Sequence, residues 1–231
     1  MANLRDTDTS QLDEWSPRLL KSRLYQRILV DIIVGVLPPG EQLDENQLAR
    51  RYEGGLAGVR EALARLALEG LVLRRARVGT TVAPLDLMAA RDAFEARCLI
   101  EVQCAGLAAA NAGKDEIAAI RATLDGGERA VDENDARALA IADEAFHVAV
   151  AAASGNRTLA KMVVSLQHQT ARYWLYAMRA PSAEDGYKAL AEHRALADAI
   201  AGGDAGKARA VMLQVLGDFP DEMKRTLEAS P

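Results

Sequence analysis

Three residues in the second half of the chain have the types and spacing of a metal site. Asp143 and His147 lie four residues apart in DEAFH, so on a helix their side chains share one face. His193 lies in AEHRALADAI, where the apolar positions predict another helix with a buried side. An aspartate and two histidines that meet inside a helical bundle can bind a divalent ion and leave coordination positions open. A surface ion pair between Asp143 and His147, with a core histidine at 193, fits the same spacing and stays an alternative.

Residues 24–84 carry a second kind of chemistry, that of nucleic-acid recognition. Their pattern predicts an amphipathic helix, a turn at Pro38-Pro39-Gly40, short helices at about 45–52 and 57–69, and two short strands around a basic tip. This order is that of a winged helix-turn-helix, whose second short helix enters the DNA major groove with its first residues nearest the bases. A helical hairpin followed by a β-hairpin, with no role in DNA binding, is the alternative.

The candidate DNA contacts lie on the two short helices and on the wing. The second of these helices presents its first residues to bases, and the arginines of a wing can follow a phosphate backbone or enter a minor groove. The predicted contacts are Gln47, Leu56, Ala57, Arg60, Arg65, Arg75, Arg77, Gly79 and Thr80.

The charge of the chain is unevenly distributed. The net charge is −5, which by itself argues against a nucleic-acid partner. Residues 18–84, however, hold eleven basic and seven acidic side chains, whereas residues 85–231 hold sixteen and twenty-two. A basic small domain attached to an acidic larger one is typical of a DNA reader joined to a body that does not bind DNA.

The rest of the chain reads as helical. Pro84 and Asp86 mark a boundary, and helices are expected at about 86–111, 114–132, 135–153, 157–179, 183–202 and 204–228. The sequence therefore predicts a mainly α protein, with an N-terminal winged helix-turn-helix at 18–84 followed by an all-α antiparallel bundle at 85–231. Residues 1–17 are polar and acidic and are expected to form a flexible arm.

Composition sets further bounds on the class of protein. Cys98 and Cys104 lie six residues apart on one expected helix and face different directions, so a disulfide between them is implausible and a reducing, cytoplasmic location fits. No apolar run is long enough for a membrane span, and the N-terminus lacks the order of a signal peptide.

The N-terminal segments GEQLDENQLARRY, VREALARLALEGLV and GTTV resemble the DNA-binding domain of GntR-type bacterial transcription regulators. The resemblance covers about 60 residues and implies a double-stranded operator as the partner. In that family the recognition segment commonly reads Ser-Arg-Thr-Pro-Val-Arg, whereas this chain has Gly55-Leu56-Ala57-Gly58-Val59-Arg60. The second arginine is kept as Arg60, but Leu56 replaces the first, and this predicts either a different operator or weak DNA binding.

The C-terminal half resembles the all-helical effector domain, called FCD, of the FadR branch of the same family. The matching residues include Arg97 and Glu101, the Asp143–His147 pair, Ser154-Gly155-Asn156, Glu192-His193 and Gly203-Asp204. The resemblance implies a divalent metal (Zn, Mn or Ni) held by Asp143, His147 and His193. It places a fourth ligand, a histidine, at position 215, where this chain has Val215. An effector pocket without metal therefore stays an alternative.

The resemblance also implies a small organic-acid effector and a homodimer that reads two half-sites. Arg97 and Arg172 are the candidates for binding the effector's carboxylate, because a guanidinium offers a bidentate fork. For Arg97, an intrahelical pair with Glu101 is the alternative.

The predicted function is a DNA-binding transcription regulator, most simply a repressor, and not an enzyme. The competing hypotheses are a regulator that acts through protein contacts and a metal-dependent enzyme built on the bundle.

Overall fold

The computed structural model describes residues 17–177 and 182–217, which divide into two compact units. The first unit holds residues 17–32 and 38–83, and the second holds 33–37 and 84–217. The first contains α1 (Pro17–Ile33, except its last residue), α2 (Glu45–Arg51), α3 (Leu56–Leu68), β1 (Val72–Arg75) and β2 (Gly79–Val82). The second contains α4 (Leu87–Asn111), α5 (Lys114–Ala122), α6 (Gly127–Asp132), α7 (Ala136–Ala153), α8 (Arg157–Ala177), α9 (Ala183–Ala201) and α10 (Ala205–Gly217).

The helix-turn-helix of the first unit is organised by caps and an apolar core. The carboxylate of Asp44 accepts a hydrogen bond from the Gln47 backbone N–H at 2.7 Å and so begins α2. The core includes Ile28 of α1 and Leu63 and Leu66 of α3, which are fully buried. Each of them lies on the apolar face of its helix. Gly55, by contrast, begins α3 without a side-chain cap.

Two glycines before and within α3 have a packing reason. A Cβ added at Gly54 or Gly58 would lie 3.0 or 3.1 Å from the side chain of Leu24 on α1. These positions therefore let α1 approach the turn of the helix-turn-helix closely. The structure also buries Gly58, so the start of α3 presents Leu56, Ala57 and Arg60 to solvent but not Gly58.

The wing is a two-stranded antiparallel hairpin. Val72 pairs with Val82, and Arg75 pairs with Gly79. Gln42 forms an additional bridge to Thr81, and its side-chain amide donates to the Val78 carbonyl at 2.8 Å. The backbone of β2 is thus paired on both sides, which fixes the arginine-bearing tip.

The second unit is a bundle built around α4. This helix packs against α7, α8, α9 and α10, and the apolar core includes Phe146, Leu196, Ile200 and Met212, each at most 2% exposed. Many core positions are alanines, as expected for helices that pack closely on small side chains.

The predicted fold class, a winged helix-turn-helix followed by an all-α bundle, is confirmed. One predicted helix, 114–132, is divided into α5 and α6, because Gly126 has a φ of 77° and interrupts the helical backbone. The predicted arm lies outside the described residues except for Pro17, and the predicted last helix extends beyond them. Among the described residues no helix combines the length and apolarity needed to cross a membrane.

Two leucines of α3, one buried and one exposed, give a matched test of the core of the first unit. Leu63 is 0% exposed and Leu68 is 91% exposed. We expect Leu63→Ala to lower the free energy of unfolding of the N-terminal unit by about 2–5 kcal/mol, because it leaves a cavity. Leu68→Ala should change it by less than about 0.5 kcal/mol. Urea denaturation followed by circular dichroism measures both, and equal effects would contradict the assigned core.

Candidate functional site

Asp143, His147 and His193 come together inside the second unit. Asp143 and His147 lie one turn apart on α7, and His193 reaches them from α9. Asp143 Oδ1 is 3.6 Å from His147 Nε2 and 3.4 Å from His193 Nε2. The three ligand atoms all lie within 4.8 Å of one another, and both imidazoles are buried. The predicted spacing on two helices therefore corresponds to a real cluster of ligand atoms.

A second layer of polar residues orients His147. Its Nδ1 forms a short hydrogen bond with Glu101 of α4, which leaves Nε2 facing Asp143. Glu101 in turn accepts from Arg97 Nε at 2.6 Å, and Arg97 donates to the hydroxyl of Thr170 on α8 at 2.8 Å. A carboxylate behind the far nitrogen of a histidine is the arrangement that fixes the tautomer of metal-ligating histidines.

The charges of this layer shift the ionisation of its members. Burial alone would lower the pKa of His147, but the carboxylates of Glu101 and Asp143 outweigh it and raise the pKa to about 9. Burial would raise the pKa of Glu101, but Arg97 and His147 outweigh it and lower the pKa to about 2. The same competition between burial and His147 holds the pKa of Asp143 well below its usual value.

His193 presents its Nε2 to the cluster. Its Nδ1 donates to the Ala189 carbonyl at 2.6 Å, which leaves Nε2 as the ring nitrogen that can face a metal. That nitrogen is buried without a hydrogen-bond partner among the described residues, and it faces the carboxylate oxygen of Asp143. A cation between this nitrogen and the carboxylate, either a proton or a metal ion, would pair the two buried polar atoms.

The donor set also fits a metal in its dimensions. Ligand atoms at about 2.1 Å from a tetrahedral ion are about 3.4 Å apart, close to the two distances from Asp143 Oδ1. One carboxylate and two imidazoles suit zinc and related divalent ions. Val215, the position of the expected fourth ligand, is half-buried on α10 and offers only hydrocarbon. The fourth position would therefore fall to water or to an exogenous group.

The second oxygen of Asp143 is held by α8. Gln167 is 0% exposed, and its side-chain amide donates to Asp143 Oδ2 at 2.7 Å. The amide oxygen of the same side chain, Oε1, has no hydrogen-bond partner among the described residues. Gln167 therefore orients the carboxylate and leaves a buried acceptor close to it.

A small cavity adjoins the cluster. It has a volume of about 50 Å³, is partly open, and is lined by Asp143 and His193 together with apolar residues that include Leu139, Ala189 and Leu190. Because one water needs about 10–15 Å³ of such volume, the cavity has room for several waters.

The structure gives the two predicted effector-binding arginines internal partners. Arg97 pairs with Glu101 on the same helix, which is the alternative that the sequence left open, and it also donates to Thr170. Arg172 is buried and donates to the Pro84 carbonyl at 3.1 Å, beside Tyr173. In the part of the chain that is described, neither arginine lines the cavity. Both guanidinium groups are thus buried against internal partners, and the effector contacts expected of them stay a prediction.

The predicted DNA contacts on the helices lie on the surface. Gln47, Leu56, Ala57, Arg60 and Arg65 are exposed. Arg60 Nε is 2.7 Å from the carboxylate of Glu45 on α2, and the side chain remains 62% exposed. Arg65 pairs with Glu69 at 3.0 Å and lies over the ring of Tyr25 at 3.7 Å. Both arginines are thus held by neighbours, but only Arg60 extends from the first turns of α3.

The wing residues divide into exposed and buried. Arg75, Arg77 and Gly79 are exposed at the tip, where Arg77 has a left-handed φ of 64°. Thr80 is different: the residue is only 9% exposed, and its carbonyl accepts from the Leu43 backbone N–H at 2.7 Å. The DNA contact expected of Thr80 stays a prediction, with little exposed surface from which to form.

Three residues that support these sites were not predicted from the sequence. Glu45 holds Arg60, Gln42 anchors the wing, and Gln167 holds Asp143. Each is a single polar residue whose partner lies 15 to 36 residues away. No local spacing in the sequence predicts such pairs, because each depends on contacts between distant segments of the fold.

A winged helix-turn-helix and a separate helical unit with a buried polar cluster define the class of DNA-binding transcription regulators that carry their own ligand domain. Comparison with known families agrees. Residues 20–82 match the family described as "Bacterial regulatory proteins, gntR family", and residues 92–218 match the "FCD domain".

Similar proteins extend over most of the chain. The HTH-type transcriptional repressor GlaR of Escherichia coli (strain K12) is 31% identical over 83% of this chain and 90% of its own length. The HTH-type transcriptional regulator LutR of Bacillus subtilis (strain 168) is 30% identical over 84% and 96%. The structure of McbR/YncC from E. coli superposes with a TM-score of 0.79 at 18% identity, covering 90% of this chain and 98% of that one.

The chain belongs to the GntR family of bacterial transcription regulators, in the branch with an FCD domain. The family comprises regulators rather than enzymes, so the hypothesis of a metal-dependent enzyme is discarded.

The raised pKa of His147 predicts a specific pH dependence of stability for the metal-free protein. A group whose pKa rises from 6.5 to about 9 on folding contributes stability below pH 6.5, and this contribution is lost as the pH rises through about 9. We expect urea denaturation in a chelator to show decreasing stability between these values. Glu101→Gln removes one of the two carboxylates responsible and should flatten the decrease. Identical pH profiles for the two proteins would contradict the assigned charge pairing.

Proposed function

We propose that this regulator controls its operator through a small organic acid that binds, with the help of a divalent metal, at Asp143, His147 and His193. The observation that carries the proposal is the geometry of the cluster. Three ligand atoms from two helices face one another in a buried site, and the far nitrogens of both histidines are already occupied. Because one relative bears the name of a repressor, we infer repression as the output.

In this proposal the exposed start of α3 reads the bases. Arg60 is the residue suited to a bidentate contact with guanine, and its ion pair with Glu45 limits the conformations of its long side chain. Leu56, which is 39% exposed, suits contact with a thymine methyl group. On the wing, phosphates of the DNA would be bound by Arg75, Arg77 and the peptide backbone at Gly79. On the two helices, Gln47, Ala57 and Arg65 would lie near the DNA backbone.

One winged helix-turn-helix makes too few contacts with DNA for tight binding, so we infer a homodimer that reads two half-sites. From a DNA partner we also infer a cytoplasmic location. The exposed Leu56 also favours the second hypothesis, a regulator that acts mainly through protein contacts, because it stands where the family commonly has an arginine.

In the second unit the metal would be held by Asp143 Oδ1, His147 Nε2 and His193 Nε2. When bound, the ion supplies a Lewis-acid position that attracts a carboxylate. The chain's own residues prepare the site: Glu101 fixes the His147 ring, Ala189 fixes the His193 ring, and Gln167 fixes the carboxylate of Asp143.

The position of the cavity provides a route from binding to regulation. Its lining comes from α6, α7 and α9, so an organic acid bound there would contact all three helices. Binding would therefore favour the arrangement of these helices that contacts the acid best. A ligand shifts a conformational equilibrium to the extent that it binds one state better than the other.

Arg60→Ala tests the DNA contacts. We expect specific binding to DNA from the protein's own promoter region to weaken by about 5- to 150-fold, which corresponds to the loss of one bidentate base contact of about 1–3 kcal/mol. Fluorescence anisotropy with excess competitor DNA measures this. Arg91→Ala, an exposed arginine of α4, is the matched control and should bind like wild type. Unchanged affinity in Arg60→Ala would remove the main contact, and salt-independent wild-type binding would favour the protein-contact hypothesis.

Metal analysis of protein purified without a histidine tag tests the metal cluster. We expect about one divalent ion per chain in wild type, because three protein ligands suffice for an open zinc site. His147→Ala should lose the ion, whereas His168→Gln should retain it, since His168 pairs with Glu144 outside the cluster. We also expect proton release on zinc binding at neutral pH, because the raised pKa of His147 keeps the ring protonated beforehand. Retention of the ion in His147→Ala would contradict the assigned ligands.

A further inference from the structure

The chain passes from the first unit to the second for the last time between Ala83 and Pro84. Ala83 is anchored inside the first unit, because its backbone N–H donates to the Leu71 carbonyl at 2.9 Å. Pro84 is anchored inside the second unit, where its carbonyl accepts from Arg172 at 3.1 Å. At this crossing the two anchors are therefore consecutive residues, without a free linker between them.

The torsion angles between these two anchors are restricted as well. The ring of Pro84 fixes its φ at about −65°. The same ring disfavours helical conformations of the preceding residue, Ala83. A group that fixes the residues after Pro84 consequently restricts the direction in which the chain leaves the first unit.

Tyr173 of α8 provides such a group. Its hydroxyl accepts from the backbone N–H of Asp86 at 2.7 Å and donates to the carbonyl of the same residue at 2.9 Å. A phenol hydroxyl both donates and accepts, so one side-chain atom binds both backbone groups of Asp86. Tyr173 itself is only 7% exposed, and its ring belongs to the apolar core of the bundle.

Asp86 is also the N-cap of α4. Its carboxylate accepts from the backbone N–H groups of Met88 and Ala89 at 2.9 and 3.1 Å. The side chain of Asp86 is thus bound to α4, and its backbone is bound to α8. Tyr173 and Arg172 together form a clamp that holds residues 84–86 at the start of the bundle, and we call this pair the junction clamp.

The junction clamp lies on the helix that also contacts the buried polar cluster. Gln167 of α8 donates to Asp143, and Thr170 accepts from Arg97. Because an α-helix rises by about 1.5 Å per residue, the contacts of Gln167 and Tyr173 are only about 9 Å apart along α8. A displacement of α8 would therefore move both contacts together.

We propose that Tyr173 is a positioning residue for the DNA-binding unit. By holding Asp86, its hydroxyl fixes the point and the direction at which the chain enters the bundle, and it so limits the arrangements open to the first unit. In a dimer, units that are held in this way meet the second half-site of an operator at a high effective concentration, whereas loosely joined units do not. The inference rests on the proposed function, because it takes a homodimer to bind two half-sites.

Tyr173→Phe tests the inference, since it removes the hydroxyl and keeps the ring in the core. Fluorescence anisotropy measures the affinity of the full-length protein for two duplexes from its own promoter region. One duplex holds both half-sites that wild type protects in footprinting, and in the other one half-site is scrambled. We expect binding to the intact duplex to weaken by about tenfold, and binding to the single half-site to weaken by less than about twofold.

Tyr187→Phe is the matched control. Its hydroxyl donates to Asp132 at 2.6 Å on the exposed surface of the same unit, so its removal should leave both affinities unchanged. A variant that is merely destabilised would lose affinity for both duplexes by the same factor. An equal loss in Tyr173→Phe, an unchanged ratio of the two affinities, or the same change in Tyr187→Phe would overturn the inference.

Amide hydrogen exchange tests the junction clamp without DNA. The Asp86 N–H should exchange about tenfold or more faster in Tyr173→Phe than in wild type, because it loses the hydroxyl that accepts from it. The Ala83 N–H, which is bound to the Leu71 carbonyl, should keep its rate in both proteins. Equal exchange of the Asp86 N–H in the two proteins would contradict the inference.

The two measurements separate this inference from the function on which it rests. A wild-type protein that binds both duplexes equally contradicts the homodimer on two half-sites, and the exchange of the Asp86 N–H then decides alone whether Tyr173 holds the junction. A wild type that prefers the intact duplex, with the same preference in Tyr173→Phe, contradicts the inference and leaves the proposed function intact.

Discussion

The helical unit depends on one constraint, which is the burial of charged groups inside an otherwise apolar bundle. Arg97, Glu101, His147 and Asp143 form a chain of alternating charge that connects α4 to α7. The side chains of Arg97, Glu101 and His147 are almost fully buried, whereas that of Asp143 is 29% exposed. Removing a buried ion from water costs several kcal/mol, and the cost is offset only when the ion has an opposite charge and good hydrogen bonds. The contacts among these four residues provide both. The packing of α4 against its neighbours is therefore fixed by electrostatics as well as by the alanine-rich core.

The same chain relates the protonation of His147 to the proposed metal. The raised pKa of His147 places an imidazolium between the carboxylates of Glu101 and Asp143. In the proposed metal-bound form a divalent ion would replace the proton on Nε2, because a ligating histidine nitrogen must be deprotonated. The same arrangement of side chains would thus accommodate either cation. An effector bound in the cavity beside Asp143 and His193 would contact the apolar residues that line it.

The sequence predicted what is encoded locally. Helical periodicity, the cap at Asp44 and the Pro-Pro-Gly turn were sufficient for the winged helix-turn-helix, and a spacing of four placed Asp143 and His147 on one face. The break between α5 and α6 was missed although Asp125-Gly126-Gly127 is a turn-forming sequence, because the apolar periodicity on both sides of it is helical. The burial of Thr80 and the internal partners of Arg97 and Arg172 depend on packing between distant segments. For the same reason Gln167, the residue that holds Asp143, carried no signal in its neighbourhood.

The central claim is that the buried polar chain presents Asp143, His147 and His193 to a single ion and leaves one position open. X-ray absorption at the zinc edge, on untagged full-length protein loaded with one equivalent of zinc, tests this most directly. The account predicts a four-coordinate shell of two imidazole nitrogens and two oxygens at about 2.0–2.1 Å. A six-coordinate shell of oxygens alone, or a spectrum without histidine scattering, would contradict it.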